Sequence, residues 1–282
     1  ITAIGFTSGN GIQISTETST QIMNNTIRTG VLGTSSNIGI NIVSADYVVV
    51  RGNVVVTNGT STNHGMVLTG SDNITIVNNS VIARGSATSN HGIYITSTIS
   101  NDNVIVDNVL VTNGTSSNNG ILIDAAQSFN NTIANNTIRT FGTSSDNFGI
   151  RLQSAARTLV IANDIATNGT LANHAIVLIS AANSTFENNV INTSGVGSYG
   201  IHITTSNTTL FSNNTLFNTV EWIFMPASAN VNNTFVNNTF VGLNSSVKFN
   251  ETSVADGRFN VTHEKLNLGH IGVLLNGTNV SF

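Results

Sequence analysis

The fold is decided by stretches such as residues 65–90, which read GMVLTGSDNITIVNNSVIARGSATSN. This stretch holds three short runs rich in aliphatic and β-branched residues, at 66–68, 74–76 and 81–82, separated by Gly, Asn, Asp and Ser. Runs of this length predict β-strands, and the lack of a helical segment between them excludes βαβ units. A chain that repeats such a circuit climbs about 4.8 Å each time, the spacing of paired strands. The pattern therefore predicts a parallel β-helix.

The pattern recurs with a period of 24 to 29 residues. One column of the aligned repeats is an Asn between the second and third strands, and another is the Gly that opens a Gly-Ile-x-Ile type strand. The Asn column consists of Asn25, Asn53, Asn79, Asn108, Asn136, Asn163, Asn189, Asn214 and Asn238. The Gly column consists of Gly11, Gly39, Gly65, Gly92, Gly120, Gly149, Ala175 and Gly200. Two columns with one period indicate about nine coils of three short strands each.

Alternation within the first strand of each coil separates an inward from an outward set of side chains. Pairs such as Ile93 and Ile95 point inward, and each such side chain contributes roughly 1.5 to 3 kcal/mol when buried. The outward set is Gln13, Asn41, Val67, Tyr94, Leu122, Arg151, Val177 and His202. In the second strand, Phe186, Phe211 and Phe235 follow Ile and Val in one column, which predicts an aromatic stack in the later coils.

The Asn column resembles the asparagine ladder of right-handed parallel β-helix proteins. This resemblance implies that the column Asn takes the left-handed conformation in a tight turn and that its amide bonds to the next coil. A second polar column, Asn37, Asn63, Asn90, Asn118, Asn147, Asn173 and Ser198, precedes the first strand. The resemblance covers about residues 10–242 and is closest to the Asn-rich repeat proteins of archaeal cell surfaces.

Composition and register set the domain organisation. The chain has 9 Lys and Arg, 13 Asp and Glu, no Cys, and only 8% charged residues. These numbers exclude a basic nucleic-acid surface, a disulfide framework and a Cys-ligated metal. We predict an all-β right-handed parallel β-helix over residues 1–242. Residues 243–282, where charges are more frequent, are predicted to form a C-terminal β-rich cap or the start of a further module.

Many parallel β-helices act on polysaccharides, so catalytic groups were sought on the face of the first strand. The outward residues show no carboxylate, whereas a glycosidase needs two carboxyl groups roughly 5 to 9.5 Å apart. Arg151 and His202 lie on this face but two coils apart. We therefore predict no catalytic residues and no enzyme activity.

Other clusters were weighed as ligand sites, and neither a metal site nor a cofactor is predicted. Asp46 and Asp72 occupy the same turn in successive coils with Asp102 nearly aligned, so structural calcium is the alternative to a solvated turn. His64 and His91 are metal candidates one coil apart, although mixed residues in their column favour loop packing. The aromatic residues Tyr94, Phe148 and Tyr199 are either a sugar platform or half-buried loop residues, and the second interpretation is preferred.

Asn-x-Ser/Thr sequences are abundant, and several lie in turns where a glycan would project outward. The N-glycosylation candidates are Asn58, Asn113, Asn168, Asn73, Asn130, Asn183, Asn232, Asn244 and Asn276. Glycosylation at these positions would require a secreted chain, so an extracellular, cell-surface location is expected.

These observations predict an extracellular structural protein, a glycosylated β-helical building block of a surface layer, sheath, filament or adhesin stalk. It is expected to assemble with copies of itself, through its ends or through a stripe of Val67, Tyr94, Leu122 and Val177. The alternative is a carbohydrate-binding or carbohydrate-active β-helix module, such as an adhesin tip or a polysaccharide-processing spike. The expected partners are further copies of the chain, N-linked glycans and surface polysaccharides, with neither nucleic acid nor a membrane span.

Overall fold

The chain folds into a right-handed parallel β-helix, which confirms the predicted fold class. The structure is a computed structural model that describes residues 2–3, 9–30, 35–96, 99–217, 221–225, 232–241, 247–250, 259–262, 265–267, 273–276 and 280–281. Three long parallel sheets run along the rod, and each coil supplies one strand to each sheet. No helix long and apolar enough to cross a membrane occurs in these residues.

The three sheets are named by the order of their strands within a coil. The first sheet has nine strands: Gly9–Ser15, Asn37–Val43, His64–Thr69, Ile93–Thr96, Ile121–Phe129, Ile150–Ala156, Ile176–Ile179, Tyr199–Ile203 and Glu221–Phe224. The second sheet has eleven: Gln21–Met23, Val49–Arg51, Thr75–Val77, Val104–Val106, Thr132–Ala134, Leu159–Ile161, Thr185–Glu187, Leu210–Ser212, Asn233–Val236, Phe259–Thr262 and Val280–Ser281. The third also has eleven: Thr2–Ala3, Thr26–Thr29, Val54–Thr57, Ser80–Arg84, Val109–Gly114, Thr137–Gly142, Asp164–Leu171, Val190–Val196, Thr215–Phe217, Thr239–Val241 and Lys265–Asn267.

The core is a set of aliphatic and aromatic ladders enclosed by the three sheets, as the alternation predicts. Ile93 pairs with Met66 and Ile121 in the neighbouring coils, and all three side chains are fully buried. The predicted Phe stack is present, with ring centroids 4.9 Å apart between Phe186 and Phe211 and 4.8 Å apart between Phe211 and Phe235. Each coil thus presents the same kind of side chain to the coil above.

The Gly column is explained by the close approach of successive coils. A Cβ atom on Gly39 would lie 2.2 Å from Cγ1 of Val55 and 2.5 Å from the carbonyl oxygen of Gly65. Heavy atoms cannot approach so closely, so this position requires a residue without a side chain unless its neighbours move.

The asparagine ladder is present, but the column Asn residues do not occupy the left-handed positions. Asn108 is buried, its Oδ1 accepts the backbone N–H of Asn79, and its side-chain amide lies 3.0 Å from Oδ1 of Asn136. The positive φ belongs instead to the residue before the column, such as Asp107 at 56° and Asn135 at 54°. The resemblance was therefore wrong on this point, because one residue makes the turn and the next forms the ladder.

The second polar column forms a similar ladder, and a third one was missed by the sequence analysis. Asn90 and Asn118 are buried and bonded side chain to side chain at 2.8 Å, as expected for the second column. In the turn after the first strand, the Oγ atoms of Ser100 and Ser128 accept the backbone N–H of Ser71 and Ser100, respectively. The sequence does not reveal this ladder, because Ser and Thr are abundant throughout the chain.

The long second and third sheets continue beyond residue 242. Phe259–Thr262 pairs in parallel with Asn233–Val236, and Lys265–Asn267 pairs with Thr239–Val241. A separate pair of parallel strands is formed by Val247–Asn250 and Val273–Asn276. The division of the chain at residue 242 stays a prediction, although these strands extend the same solenoid.

Candidate functional site

Two columns of side chains on the outside of the first sheet bring aromatic and imidazole rings together. The residue before the Gly column forms what we call the edge column: His64, His91, Asn119, Phe148, His174 and Tyr199. The residue two positions after the Gly forms the face column: Val67, Tyr94, Leu122, Arg151, Val177, His202 and Phe224. Parallel pairing stacks each column at the coil spacing of about 4.8 Å. The rings fall into a lower and an upper group.

The lower ring group consists of His64, His91 and Tyr94. The imidazoles of His64 and His91 are stacked with centroids 4.8 Å apart, and Tyr94 meets them edge-on at 5.3 and 5.1 Å. Both His side chains are buried, whereas Tyr94 is half-buried. Tyr94 therefore offers part of its ring to the outside over a fixed base of two imidazoles.

The upper ring group consists of Phe148, His174, Tyr199, His202 and Phe224. Ring centroids are 5.3 Å apart between Phe148 and His174, 4.8 Å between His174 and Tyr199, and 4.5 Å between Tyr199 and Phe224. Phe148 is buried, which corrects the expectation that it is exposed or half-buried, while Tyr199, His202 and Phe224 are half-buried. The half-buried rings of Tyr199, His202 and Phe224 therefore form a ring surface at the upper end of the face column.

The edge-column histidines also replace the ladder Asn as acceptors for the next coil. Nδ1 of His64 accepts the backbone N–H of His91 at 3.3 Å, and Nδ1 of His174 accepts that of Tyr199 at 3.0 Å. Burial lowers the pKa of His64 to about 4, and burial and the nearby His202 lower the pKa of His174 to about 3. Both imidazoles are therefore neutral near pH 7 and keep their proton on Nε2.

A polar centre separates the two ring groups, and Arg151 is its main component. The guanidinium Cζ lies 6.0 Å from the ring centroid of Phe148, and Nη2 donates to Oε1 of Gln153. Asp124 faces outward in the neighbouring coil, in register with Gln153. The prediction that this face carries no carboxylate is wrong. It considered one outward position in each strand, and Asp124 lies at a second outward position.

Two polar atoms of this face are left without partners. Nε of Arg151 and Nε2 of His202 are buried and form no hydrogen bond within the described part of the chain. Burial lowers the pKa of His202 to about 4, so its imidazole is neutral near pH 7. Buried polar atoms are almost always hydrogen-bonded in folded proteins. Because both atoms are shielded from solvent, a ligand could reach them only if the side chains moved.

The predicted assembly stripe is not an exposed apolar surface. Val67, Leu122 and Val177 are only 3–6% exposed. In the face column these short aliphatic side chains alternate with the longer Tyr94, Arg151 and His202, which shield them. The predicted stripe therefore offers no continuous apolar surface for assembly. Among its four members only Tyr94 is half-buried, and the others are buried.

The aspartates weighed for calcium bind the backbone of the next coil. Oδ1 of Asp46 accepts the N–H of Asp72 at 2.9 Å, and Oδ1 of Asp72 accepts the N–H of Asn101 at 2.6 Å. Asn101, rather than Asp102, continues their column, and Asp102 is an exposed turn residue with φ of 55°. No group of three or more His, Asp or Glu suited to a metal occurs among the residues that the structure describes. The expectation that the chain has no metal site stays a prediction, with calcium as its untested alternative.

The glycosylation candidates of the turns lie on the surface. Asn73, Asn130, Asn183 and Asn232 are exposed and have φ between 56° and 58°, so they are left-handed turn residues. Asn58 follows strand Val54–Thr57 and is half-buried, whereas Asn113 and Asn168, predicted in the same turn, are exposed within strands Val109–Gly114 and Asp164–Leu171. Asn244 and the side chain of Asn276 lie outside the described residues. Occupancy by glycans stays a prediction.

Comparison with known proteins yields one family and several structural neighbours. The family model described as "right handed beta helix region" matches residues 89–240. The A-module of mannuronan C-5 epimerase AlgE4 from Azotobacter vinelandii aligns at a TM-score of 0.53 and 13% identity, over 91% of this chain and 80% of that module. Periplasmic alginate epimerase AlgG aligns at 0.54 and 11% identity, over 95% and 73%. The search of curated protein sequences yields no match.

These neighbours overturn the prediction that the chain is not an enzyme. That prediction rested on the missing carboxylate pair of a glycosidase. The same type of scaffold carries epimerases, whose stated reaction changes the configuration of a sugar carbon and does not cleave a glycosidic bond. A face without a glycosidase pair is therefore no ground for excluding catalysis.

Proposed function

Because this chain belongs to the right-handed β-helix family, we propose that it is a carbohydrate-active module that holds an extended polysaccharide on the outer face of its first sheet. The observation that carries the proposal is the set of half-buried rings beside the half-buried guanidinium of Arg151 on one face. Sugar rings have apolar faces that stack on aromatic rings and hydroxyl groups that need hydrogen-bond partners. Tyr94 and Phe224 supply stacking surfaces, while Arg151 and His202 supply polar contacts.

The same face holds groups suited to acid–base chemistry on a bound sugar. The imidazole of His202 is neutral above about pH 4 and can accept a proton, and Asp124 and Arg151 provide a carboxylate and a fixed positive charge. The structural neighbours whose names state alginate epimerase activity favour a uronic acid polymer as the first substrate to test. We therefore expect any catalysis to occur between the two ring groups.

Binding to a panel of neutral and acidic polysaccharides, measured by affinity electrophoresis, tests this function. Tyr94→Ala and Phe224→Ala should each weaken binding by about tenfold, the effect of losing roughly 1.5 kcal/mol of ring burial. Phe141→Ala is the matched control, because Phe141 is an exposed ring on the third sheet and not on the first. Reducing ends and sugar configuration in the incubated polymers report cleavage and epimerisation. Absence of binding to every polymer would contradict the proposal.

A second candidate function is a glycosylated structural rod outside the cell, and the exposed left-handed Asn residues favour it. Asn73, Asn130 and Asn183 recur in alternate coils, which leaves room for a glycan at each. Such a rod would self-associate into a surface layer, sheath, filament or stalk of the archaeal type. Intact mass above 29.5 kDa by discrete glycan units, with filaments in negative-stain micrographs, would support this function. A monodisperse monomer of unmodified mass would argue against it.

A further inference from the structure

The charge on the outer face of the first sheet points to the kind of polysaccharide it binds. Among the described side chains of this face, Arg151 and Asp124 are the charged ones. The ion pair found in the described residues joins Arg139 to Asp164 on the third sheet, so Arg151 has no carboxylate partner there. A half-buried guanidinium without a counter-charge is unusual, because desolvation of a charge is costly unless it is paired.

The guanidinium has unused hydrogen-bonding capacity in a fixed orientation. Arginine carries five N–H donors in a planar fork. One nitrogen of Arg151 donates to Gln153, the ring of Phe148 lies near the guanidinium, and Nε is shielded from solvent, so the N–H groups that can reach a ligand are those of the two terminal nitrogens. This leaves donors for a planar or tetrahedral anion, the groups that arginine binds with paired hydrogen bonds.

The charge also lies between the two ring groups. Burial lowers the pKa of His91, and the neighbouring His64 and the guanidinium of Arg151, two coils away, lower it further. Asp124 lies one coil from Arg151 and two positions further along the strand, at a diagonal separation of about 7 to 8 Å. The edge-column side of Arg151, near Asn119 and Phe148, is thus the side away from that carboxylate.

The face column places long polar or aromatic side chains in every second coil. Tyr94, Arg151 and His202 alternate with Val67, Leu122 and Val177. Two coil rises make about 9.6 Å between like positions. One sugar of an extended chain spans close to one coil rise, so a chain along the rod would present every second sugar to one of these residues.

We propose that Arg151 binds the acidic group, a carboxylate or a sulfate, of a linear acidic polysaccharide that lies along the first sheet between the two ring groups. This inference rests on the proposed function, since it assumes that the face binds sugar. It adds the residue that selects an acidic chain over a neutral one.

The test compares three oligosaccharides of equal length, a neutral hexose oligomer, a uronic acid oligomer and a sulfated oligomer, by isothermal titration calorimetry. Wild-type protein should bind at least one acidic oligomer about tenfold or more tightly than the neutral one, the effect of one charge-assisted contact. Arg151→Gln should remove that preference, so that the acidic and neutral oligomers bind the variant with affinities within about twofold of each other. The acidic oligomer that loses affinity identifies the group as carboxylate or sulfate.

Arg157→Gln is the matched control, because Arg157 also lies over an aromatic ring, that of Phe129 at 4.6 Å, but in the turn after the first strand. It should leave all three affinities unchanged. Should Arg151→Gln fail to fold, salt provides the second measurement. Raising NaCl from about 0.05 to 0.5 M should weaken binding of the acidic oligomer and spare the neutral one.

The outcomes separate the two proposals. Equal binding of neutral and acidic oligomers, or an acidic preference that survives Arg151→Gln, overturns the role of Arg151 and leaves the proposed function standing. Binding of none of the three oligomers, together with the negative polysaccharide panel, overturns the proposed function itself.

Discussion

At the scale of the residue, neighbouring Asn residues in one turn have different structural roles. Asn136 is buried in the ladder, whereas Asn135 is exposed and makes the turn with φ of 54°. Asn108, one coil below, donates to the carbonyl of Ile76 at 2.9 Å and accepts the N–H of Asn79 at 2.9 Å. The side chain of a ladder Asn therefore bonds to two backbone groups of the neighbouring coil, which that of the turn Asn does not.

This difference predicts unequal costs of substitution. Asn108→Ala leaves at least two buried backbone groups unpaired, and the free energy of unfolding should fall by about 3 kcal/mol or more. Asn135→Gly is the control, because Gly accepts positive φ without strain, and it should change stability by less than about 1 kcal/mol. Urea unfolding followed by circular dichroism measures both. Equal effects of the two substitutions would show that the ladder does not carry this stability.

At the scale of the element, the edge column couples packing to protonation. The imidazole of His174 is stacked between Phe148 and Tyr199 and accepts the N–H of Tyr199 through Nδ1. Protonation would convert this acceptor into a donor and would add charge to a buried ring. The native state therefore resists protonation, as the pKa of about 3 indicates, while the unfolded chain binds the proton near pH 6.5.

Stability should consequently fall as the pH drops from 6.5 toward 3, because only the unfolded state gains a proton in that window. At about 1.4 kcal/mol per pKa unit, His174 contributes on the order of 5 kcal/mol to this loss between pH 6.5 and pH 3. His174→Asn should flatten the dependence, since Asn119 already serves as a neutral acceptor in the same column, for the N–H of Phe148. Urea unfolding at pH 7 and pH 4 gives the slopes. Parallel slopes for wild type and variant would contradict the coupling.

The sequence predicted the elements well because coil stacking imposes a strict period. The Asn and Gly columns define the register, and the alternation in residues such as Ile93 and Ile95 defines the core. The site was harder to predict, since side chains from different coils meet only after stacking. Arg151 lies near His91, which is 60 positions earlier in the chain, and Asp124 occupies a second outward position of its strand, in register with Thr96 and Gln153.

At the scale of the whole molecule, the low charge acquires a more specific meaning. Only 8% of residues are charged, and turn Asn, Ser and Thr supply most of the polar surface. Against this neutral background, Arg151 is a distinct feature on a face whose rings extend from His64 to Phe224. That distance corresponds to six coil rises, about 29 Å. A surface of this length and composition suits a linear polymer better than a compact ligand.

The measurement that tests this account most directly is a crystal structure of the protein grown with the oligosaccharide that binds most tightly. We expect sugar rings along the face column, one of them stacked on Tyr94 or Phe224, with the acidic group hydrogen-bonded to Arg151. A sugar chain bound only at another sheet or at a turn, with the first-sheet face unoccupied, would contradict the account.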